Sequence, residues 1–161
     1  IGKKYPYEIS VKNSGEIDTY VRIILKKSMY NKDGEKATDL SLDALDLHLL
    51  NSDDWIVDET VTTKDRMVMY YKKILLVGET TTSLTDYIRI DDSILWKAEE
   101  KNITEKNGYA TIMMDYTYDG ISFAIDIEAD AVQTHNAEDA IRSAWGRDVT
   151  IDSNGNIESF N

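Results

Sequence analysis

Residues 121–146, ISFAIDIEADAVQTHNAEDAIRSAWG, decide the fold to which the rest of the chain must conform. Apolar and polar residues alternate through the first half of this stretch. A period of two predicts a strand with one face in a core and the other in water. The predicted core positions are Ile121, Phe123, Ile125, Ile127, Ala129 and Ala131.

The second half of the stretch changes to helical spacing. Asn136 is a residue type that caps helices, and Gly146 suits the position just beyond a helix end. The pattern predicts a short helix over residues 136–146 that closes one end of the fold, and we expect Trp145 to anchor it in the core. The predicted apolar stripe consists of Ala137, Ala140, Ile141, Ala144 and Trp145.

A hairpin is predicted immediately before this strand. Asp119-Gly120 is a favoured two-residue turn, and such a turn sets the register of the strands on either side. One face of the hairpin is then continuously apolar, so the turn and the pattern agree. The predicted pairs on that face are Tyr118 with Ile121, Tyr116 with Phe123, Met114 with Ile125, Ile112 with Ile127, and Ala110 with Ala129.

Other strands are predicted along the rest of the chain. Residues 5–11 and 17–25 form an antiparallel pair around the turn at 13–15, and Asp33-Gly34 marks a second turn. Residues 40–55 fit either a helical turn or a turn followed by a strand, and the second is favoured.

Three later segments complete the prediction. Residues 66–77 are predicted as one long strand, residues 94–101 as a short helix or a polar loop, and residues 149–160 as a closing hairpin. In total, about eight to ten short strands separated by turn residues predict an antiparallel β-sandwich. We therefore expect one all-β domain over residues 1–161 with one short helix.

Composition limits the classes of function. The chain has 161 residues, with 30 acidic and 18 basic side chains and a net charge of −12, which repels nucleic-acid phosphates. Nucleic acid is not an expected partner. No apolar run approaches the ~20 residues of a transmembrane helix. The chain begins at Ile1 rather than Met, so we expect a processed N-terminus with any targeting signal upstream.

No catalytic or cofactor-binding residue is predicted. Without cysteine, a zinc site would need histidines and carboxylates. His48 and His135 are the two histidines, and neither belongs to a zinc motif. His48 is expected to point outward from a strand and His135 to precede the helix. A pair of glycosidase carboxylates that meet only in the fold stays open.

Several side chains have both a structural and a binding interpretation. Alternating oxygen ligands of the kind that bind calcium occur at Asp152, Asn154 and Asn156, although a hairpin turn is favoured. Tyrosines can form sugar-stacking platforms at Tyr70-Tyr71 or at Tyr116 with Tyr118, although core packing is favoured. Other carboxylates are expected to be solvated in loops, namely Asp53, Asp54, Asp58, Glu59, Asp91 and Asp92.

Four segments together carry a family resemblance. They are VKNSGEIDTYVRI (11–23), the segment around Trp55, YYKKILLVGETT (70–81) and IDIEADAVQTHNAEDAIRSAWG (125–146). The chain resembles the exported matrix proteins of Gram-positive bacteria in the TasA and camelysin group, and more closely their clostridial relatives, the alternate signal-mediated exported proteins. The matching phrases are structural and include no catalytic signature.

The resemblance implies a secreted, jelly-roll-like sandwich at the cell surface, in the better-known members a fibre subunit of the biofilm matrix. Assembly in that family resembles strand donation, in which an extended terminus completes a neighbour's sheet. The N-terminal strand is the implied donor, and the partner is another copy or another matrix protein. Some relatives have been described as metalloproteases, but the two histidines here form no recognisable ligand set.

Three functions are therefore weighed. The leading hypothesis is a non-enzymatic surface or biofilm-matrix protein. The alternative is a carbohydrate or host-ligand binding module, and the third is a metal-dependent protease.

Overall fold

The computed structural model describes residues 3–31, 33–36, 45–90, 98–106, 108–116 and 122–161. Every strand pairing is antiparallel, and the described residues contain one helix. The prediction of an all-β antiparallel fold with one short helix is confirmed. The elements are β1 (Lys3–Ile9), β2 (Thr19–Tyr30), β3 (Leu45–Leu49), β4 (Trp55–Val57), β5 (Arg66–Tyr71), β6 (Thr85–Ile90), β7 (Ala98–Lys106), β8 (Tyr109–Tyr116), β9 (Ser122–Gln133), α1 (Ala137–Trp145), β10 (Val149–Ile151) and β11 (Ile157–Phe160).

Two sheets pack face to face as a sandwich. The smaller sheet has the order β1-β6-β3 and the larger sheet has the order β4-β5-β2-β9-β8-β7. Five of the connections between β1 and β9 pass from one sheet to the other. Strands β10 and β11 form a separate hairpin.

Strand β9 lies near the centre of the larger sheet. It pairs with β2 along 12 residues, from Thr19 opposite Gln133 to Tyr30 opposite Ser122. The alternation predicted for this strand places its large apolar residues in the core between the sheets. That core contains Ile9, Val21, Ile23, Leu25, Met29, Leu47, Trp55, Met69, Tyr71, Leu75, Leu84, Ile88, Phe123, Ile125 and Ile127.

A second core lies on the opposite face of the larger sheet, beneath α1 and the β10–β11 hairpin. Ile141 is fully buried and Trp145 is 9% exposed. The Trp145 ring packs against the Tyr70 ring with 5.3 Å between centroids. Trp145 therefore anchors the helix, as predicted. The buried residues of this core are Tyr20, Ile24, Val68, Tyr70, Val132, Ile141, Trp145, Val149 and Ile157.

The ends of α1 confirm one capping prediction and correct another. Gly146 has a φ of 67°, and its N–H donates to the carbonyl of Arg142 at 2.9 Å, as expected beyond a helix end. Asn136 precedes the helix, but its φ is 49° and its side chain makes no capping hydrogen bond. Side-chain capping requires an extended backbone, which this residue does not have. Ala144 is exposed, so the buried stripe is narrower than predicted.

The predicted register of β8 against β9 is wrong by two residues. Ala110 pairs with Ile127 and Met114 pairs with Phe123. A shift of two residues keeps every side chain on its predicted face, so the apolar pattern fits both registers equally well. The Asp119-Gly120 turn on which the prediction depended lies outside the described residues.

Three further predictions need correction. Strands β1 and β2 lie in different sheets, because β1 pairs with β6. The strand predicted over residues 66–77 ends at Tyr71, because the register against β2 changes by two residues before Leu75 meets Thr19 in an isolated bridge. The predicted helix or loop over residues 94–101 overlaps β7, whose pairing with β8 outweighs its polar composition; residues 91–97 lie outside the described part.

Candidate functional site

A groove of about 510 Å³ separates the edge of the smaller sheet from the inner face of the larger sheet. One wall is formed by residues 7–12, which comprise the end of β1 and the segment that follows it. The facing wall comes from β2, β8 and β9. The apolar lining consists of Ile9, Val11, Ile23, Ala110, Ile127 and Ala129.

The groove is open because β1 is an edge strand in a sheet narrower than the sheet it faces. Three strands lie opposite six, so the described part of the smaller sheet does not fully cover the inner face near β8 and β9. Within the described residues β1 has β6 as its one partner strand. Pro6 fits this position, since proline cannot donate a ladder hydrogen bond and is tolerated at sheet edges.

The backbone beyond β1 directs hydrogen-bonding groups toward the open side. The carbonyls of Ile9 and Val11 accept from the N–H groups of Leu84 and Thr81, at 2.9 and 2.8 Å. In an extended chain, successive residues direct their backbone groups to opposite edges. The backbone groups of Ser10 therefore point to the other edge, where the groove lies. An unpaired edge of this kind is a template for an added strand.

The length of this wall suits an extended peptide. Six consecutive residues cover about 17 Å at the rise of roughly 3.3 Å per residue of a strand. That is the length of a typical five- or six-residue strand. The groove thus combines a backbone edge with an apolar floor, the two features that strand addition uses.

The three calcium-ligand candidates lie in the β10–β11 turn. One Asp152 carboxylate oxygen accepts the N–H groups of Asn154 and Asn156, at 2.8 and 2.9 Å. The carbonyl of Gly155 in the same turn accepts a 2.6 Å hydrogen bond from the Tyr20 hydroxyl. These contacts are those of a hairpin turn. In the described parts of the chain, no three His, Asp or Glu side chains converge in a way that would hold a metal ion.

The two histidines lie on different elements. His48 is on β3, where its ring stacks on Tyr87 at 4.6 Å and its Nδ1 lies 2.7 Å from an Asp86 carboxylate oxygen. It is exposed, as predicted. His135 is also exposed and precedes α1, where its carbonyl accepts a hydrogen bond from Gln133 at 3.0 Å.

The carboxylates around Trp55 have two different environments. Asp53 and Glu59 are exposed, as predicted. Asp58 is 3% exposed and lies 2.9 Å from Nε of Arg147, so the prediction that it is solvated is wrong. This buried pair joins the β4–β5 connection to the segment between α1 and β10. Asp91 and Asp92 lie outside the described residues.

Asp54 forms a second ion pair near Trp55. Its carboxylate contacts Nζ of Lys73 at 2.8 Å and accepts from the Thr82 hydroxyl at 2.8 Å. The hydrogen bond from Lys73 and then that from Thr82 lower the pKa of Asp54, and the same contact raises the pKa of Lys73. The pair connects the loop before β4 to the residues after β5.

Core packing, the favoured interpretation of Tyr70-Tyr71, is confirmed, and neither ring is available as a sugar-stacking platform. Tyr70 and Tyr71 are both buried, one in each core. Burial, and then the nearby charge of Asp58, raises the pKa of Tyr70. Tyr116 ends β8, and Tyr118 lies outside the described residues.

Sequence reasoning missed the groove itself. Ala110 and Ala129 were predicted as a paired core position; both are partly buried against the core between the sheets, and both also line the groove. The groove depends on β1 pairing with β6, which no local pattern reveals. Pro6 within a strand pattern was the one available signal of an edge.

Comparisons with protein-family models, with curated proteins and with solved structures found no match to this chain. In the part of the chain that the structure describes, no helix has the length and apolar character needed to cross a bilayer.

Proposed function

We propose that this chain is a secreted, non-enzymatic surface or matrix protein whose copies assemble by strand addition. The observation that carries the proposal is the backbone edge at Ser10, which lies beside an apolar groove about 17 Å long. The resemblance of residues 11–23, 70–81 and 125–146 to exported matrix proteins supports the same function. On this proposal the groove is an acceptor site and needs no catalytic group.

The proposed occupant is the N-terminal strand of a neighbouring copy, which leaves β6 of its own sheet to be donated. Its sequence, IGKKYPYEI, alternates polar residues with Tyr5, Tyr7 and Ile9, which is the pattern an added strand needs. The side chains on one face of this donated segment would fill the groove. Its backbone would form hydrogen bonds with the backbone groups of Ser10. A copy that donates β1 gives up part of its own acceptor wall, so each donor fills the groove of a copy whose β1 stays in place.

The test is assembly of the full mature chain, followed by sedimentation velocity and electron microscopy. We expect association that rises with protein concentration and with salt, because salt screens repulsion between copies of net charge −12. A mature chain that stays monomeric at all salt concentrations and pH values overturns the proposal.

A matched pair of variants tests the edge. Ser10→Pro removes the N–H on the open side and leaves the bonds of Ile9 and Val11 to β6 and its preceding segment in place, so it should abolish assembly. Ser10→Ala keeps the N–H and should assemble like the parent chain. Equal assembly of both variants, with unchanged melting temperatures, would exclude the Ser10 edge.

A second pair of reagents tests the groove and its occupant. Ala129→Leu places three more carbon atoms in the groove and should also prevent assembly. A synthetic IGKKYPYEI peptide should inhibit assembly, and the control peptide IGKKKPKEI, which lacks both tyrosines, should not. Inhibition by both peptides alike would show that the occupant is not recognised by its side chains.

A further inference from the structure

A second groove, of about 250 Å³, lies on the outer face of the larger sheet. It differs from the acceptor groove in three charged side chains, Lys26, Asp126 and Glu128, which line only this groove. Lys26 of β2 lies opposite Asp126 of β9, and Asp126 lies opposite Thr111 of β8. Glu128 and Tyr109 form the neighbouring row, and Ile24 lines the groove beneath them.

Tyr109 is unusual among the described residues. Five large hydrophobic side chains there are exposed, and Tyr109, at 60%, is the most exposed and the one aromatic ring among them. Its hydroxyl is 3.5 Å from a Glu128 carboxylate oxygen, a long and weak contact. An aromatic ring left open beside a polar cavity offers a stacking surface for an apolar ligand face.

This groove contains both hydrogen-bond donors and hydrogen-bond acceptors, with charges of both signs. The Thr111 hydroxyl donates to Asp126 at 2.7 Å, which fixes that carboxylate. Glu128 keeps acceptor capacity, since an ionised carboxylate accepts at about four positions. The Lys26 ammonium supplies donors. Lys26 lies opposite one of the two carboxylates, so the rim offers donors and acceptors side by side, and a hydroxyl group can use both because it donates and accepts.

We propose that this outer groove binds one neutral pyranose ring of a glycan, stacked on Tyr109 with its hydroxyl groups bonded to Glu128, Asp126 and Lys26. The groove has room for a ligand much larger than one water molecule, because about 10 to 15 Å³ of the same measure is enough for one water and this groove has about 250 Å³. A pyranose ring has an apolar C–H face, which would stack on the Tyr109 ring. Its hydroxylated rim would form hydrogen bonds with the charged side chains.

The experiment is saturation-transfer-difference NMR on the full chain. The probes are methyl β-glucopyranoside, methyl β-galactopyranoside, methyl α-mannopyranoside and N,N′-diacetylchitobiose. We expect at least one probe to bind, with the strongest transfer to ring C–H protons. Absence of transfer to all four overturns the proposal. The amine cadaverine is run in parallel, and binding of cadaverine without any sugar also overturns it.

Three variants and a control locate the site. Tyr109→Ala should weaken sugar binding about tenfold, while Tyr109→Phe should keep most of it because the stacking face remains. Glu128→Gln should weaken binding without loss of the fold. Val77→Ala removes another exposed apolar side chain, 48% exposed and in a different loop, and should leave binding unchanged. Unchanged binding in both Tyr109→Ala and Glu128→Gln refutes the site.

The same variants separate this proposal from the assembly proposal. Tyr109 borders both grooves, but Glu128 lines the outer groove alone and Ala129 lines the acceptor groove alone. We expect Glu128→Gln to assemble normally and Ala129→Leu to bind sugar normally. Loss of sugar binding in Ala129→Leu, with an unchanged melting temperature, would contradict a site confined to the outer groove.

Discussion

Replacement of Trp145 by alanine is the sharpest test of how α1 is held. Trp145 is 9% exposed, its ring contacts Tyr70, and the Arg22 guanidinium lies 5.3 Å from its ring centroid. Truncation of a buried tryptophan costs about 3 to 5 kcal/mol. At roughly 2 to 4 °C per kcal/mol for a chain of this size, the melting temperature should fall by about 6 to 20 °C.

The assay is urea unfolding followed by far-ultraviolet circular dichroism, with the melting temperature measured in parallel. Trp145→Phe keeps an aromatic ring against Tyr70 and should cost about half as much. Ser143→Ala, on the exposed side of α1, should stay within about 0.5 kcal/mol.

Trp145→Ala could lower the free energy of unfolding by less than about 1 kcal/mol and leave its slope against urea concentration unchanged. That result would refute the conclusion that α1 is part of the cooperative fold. Hydrogen exchange would then show α1 opening independently of β9.

Three further predictions concern turns and titration. Asn13→Ala should cost about 1 to 3 kcal/mol in urea unfolding, because its side chain is buried and bonds the carbonyls of residues 17 and 75 at 2.8 and 3.0 Å. Gly155→Ala should be more destabilising than Gly34→Ala in a thermal melt. Both have φ near 80°, which strains alanine by about 1 to 2 kcal/mol, but a Cβ at position 155 would also lie 2.7 Å from Ile74. Burial, and then Asp152, raises the pKa of Tyr20, so the folded state holds that proton more tightly than the unfolded chain does. The stabilisation from Tyr20 is present below its unfolded pKa of about 10 and is lost as the pH rises toward its folded pKa. Tyr20→Phe should therefore flatten the alkaline decline of the free energy of unfolding. An identical decline in the variant would contradict this prediction.

The sequence predicted the faces of the strands better than their partners. Phe123, Ile125 and Ile127 are buried as the alternation required, because side-chain direction follows from local backbone geometry. The partner of β1 and the register of β8 were wrong. The pairing of β1 with β6 joins segments far apart in the chain, and a two-residue slip of β8 against β9 leaves the apolar pattern unchanged.

The candidate sites show the same division. The turn at Asp152 and the exposed position of His48 follow from local signals and were predicted correctly. The burial of Asp58 was not, because its partner Arg147 lies 89 positions along the chain and arrives only when α1 docks. Neither groove was visible in the sequence, since each is a space between segments.

Residues 121–146 by themselves determined a strand, a helix and the helix end at Gly146, because each depends on spacing and residue type within a few positions. Only the tertiary structure decided that this strand occupies the middle of a six-stranded sheet and that the helix covers its outer face. Among the described residues it also gave β1 a single partner strand and left Tyr109 exposed. Those outcomes follow from the different widths of the two sheets, which are set by long-range pairing.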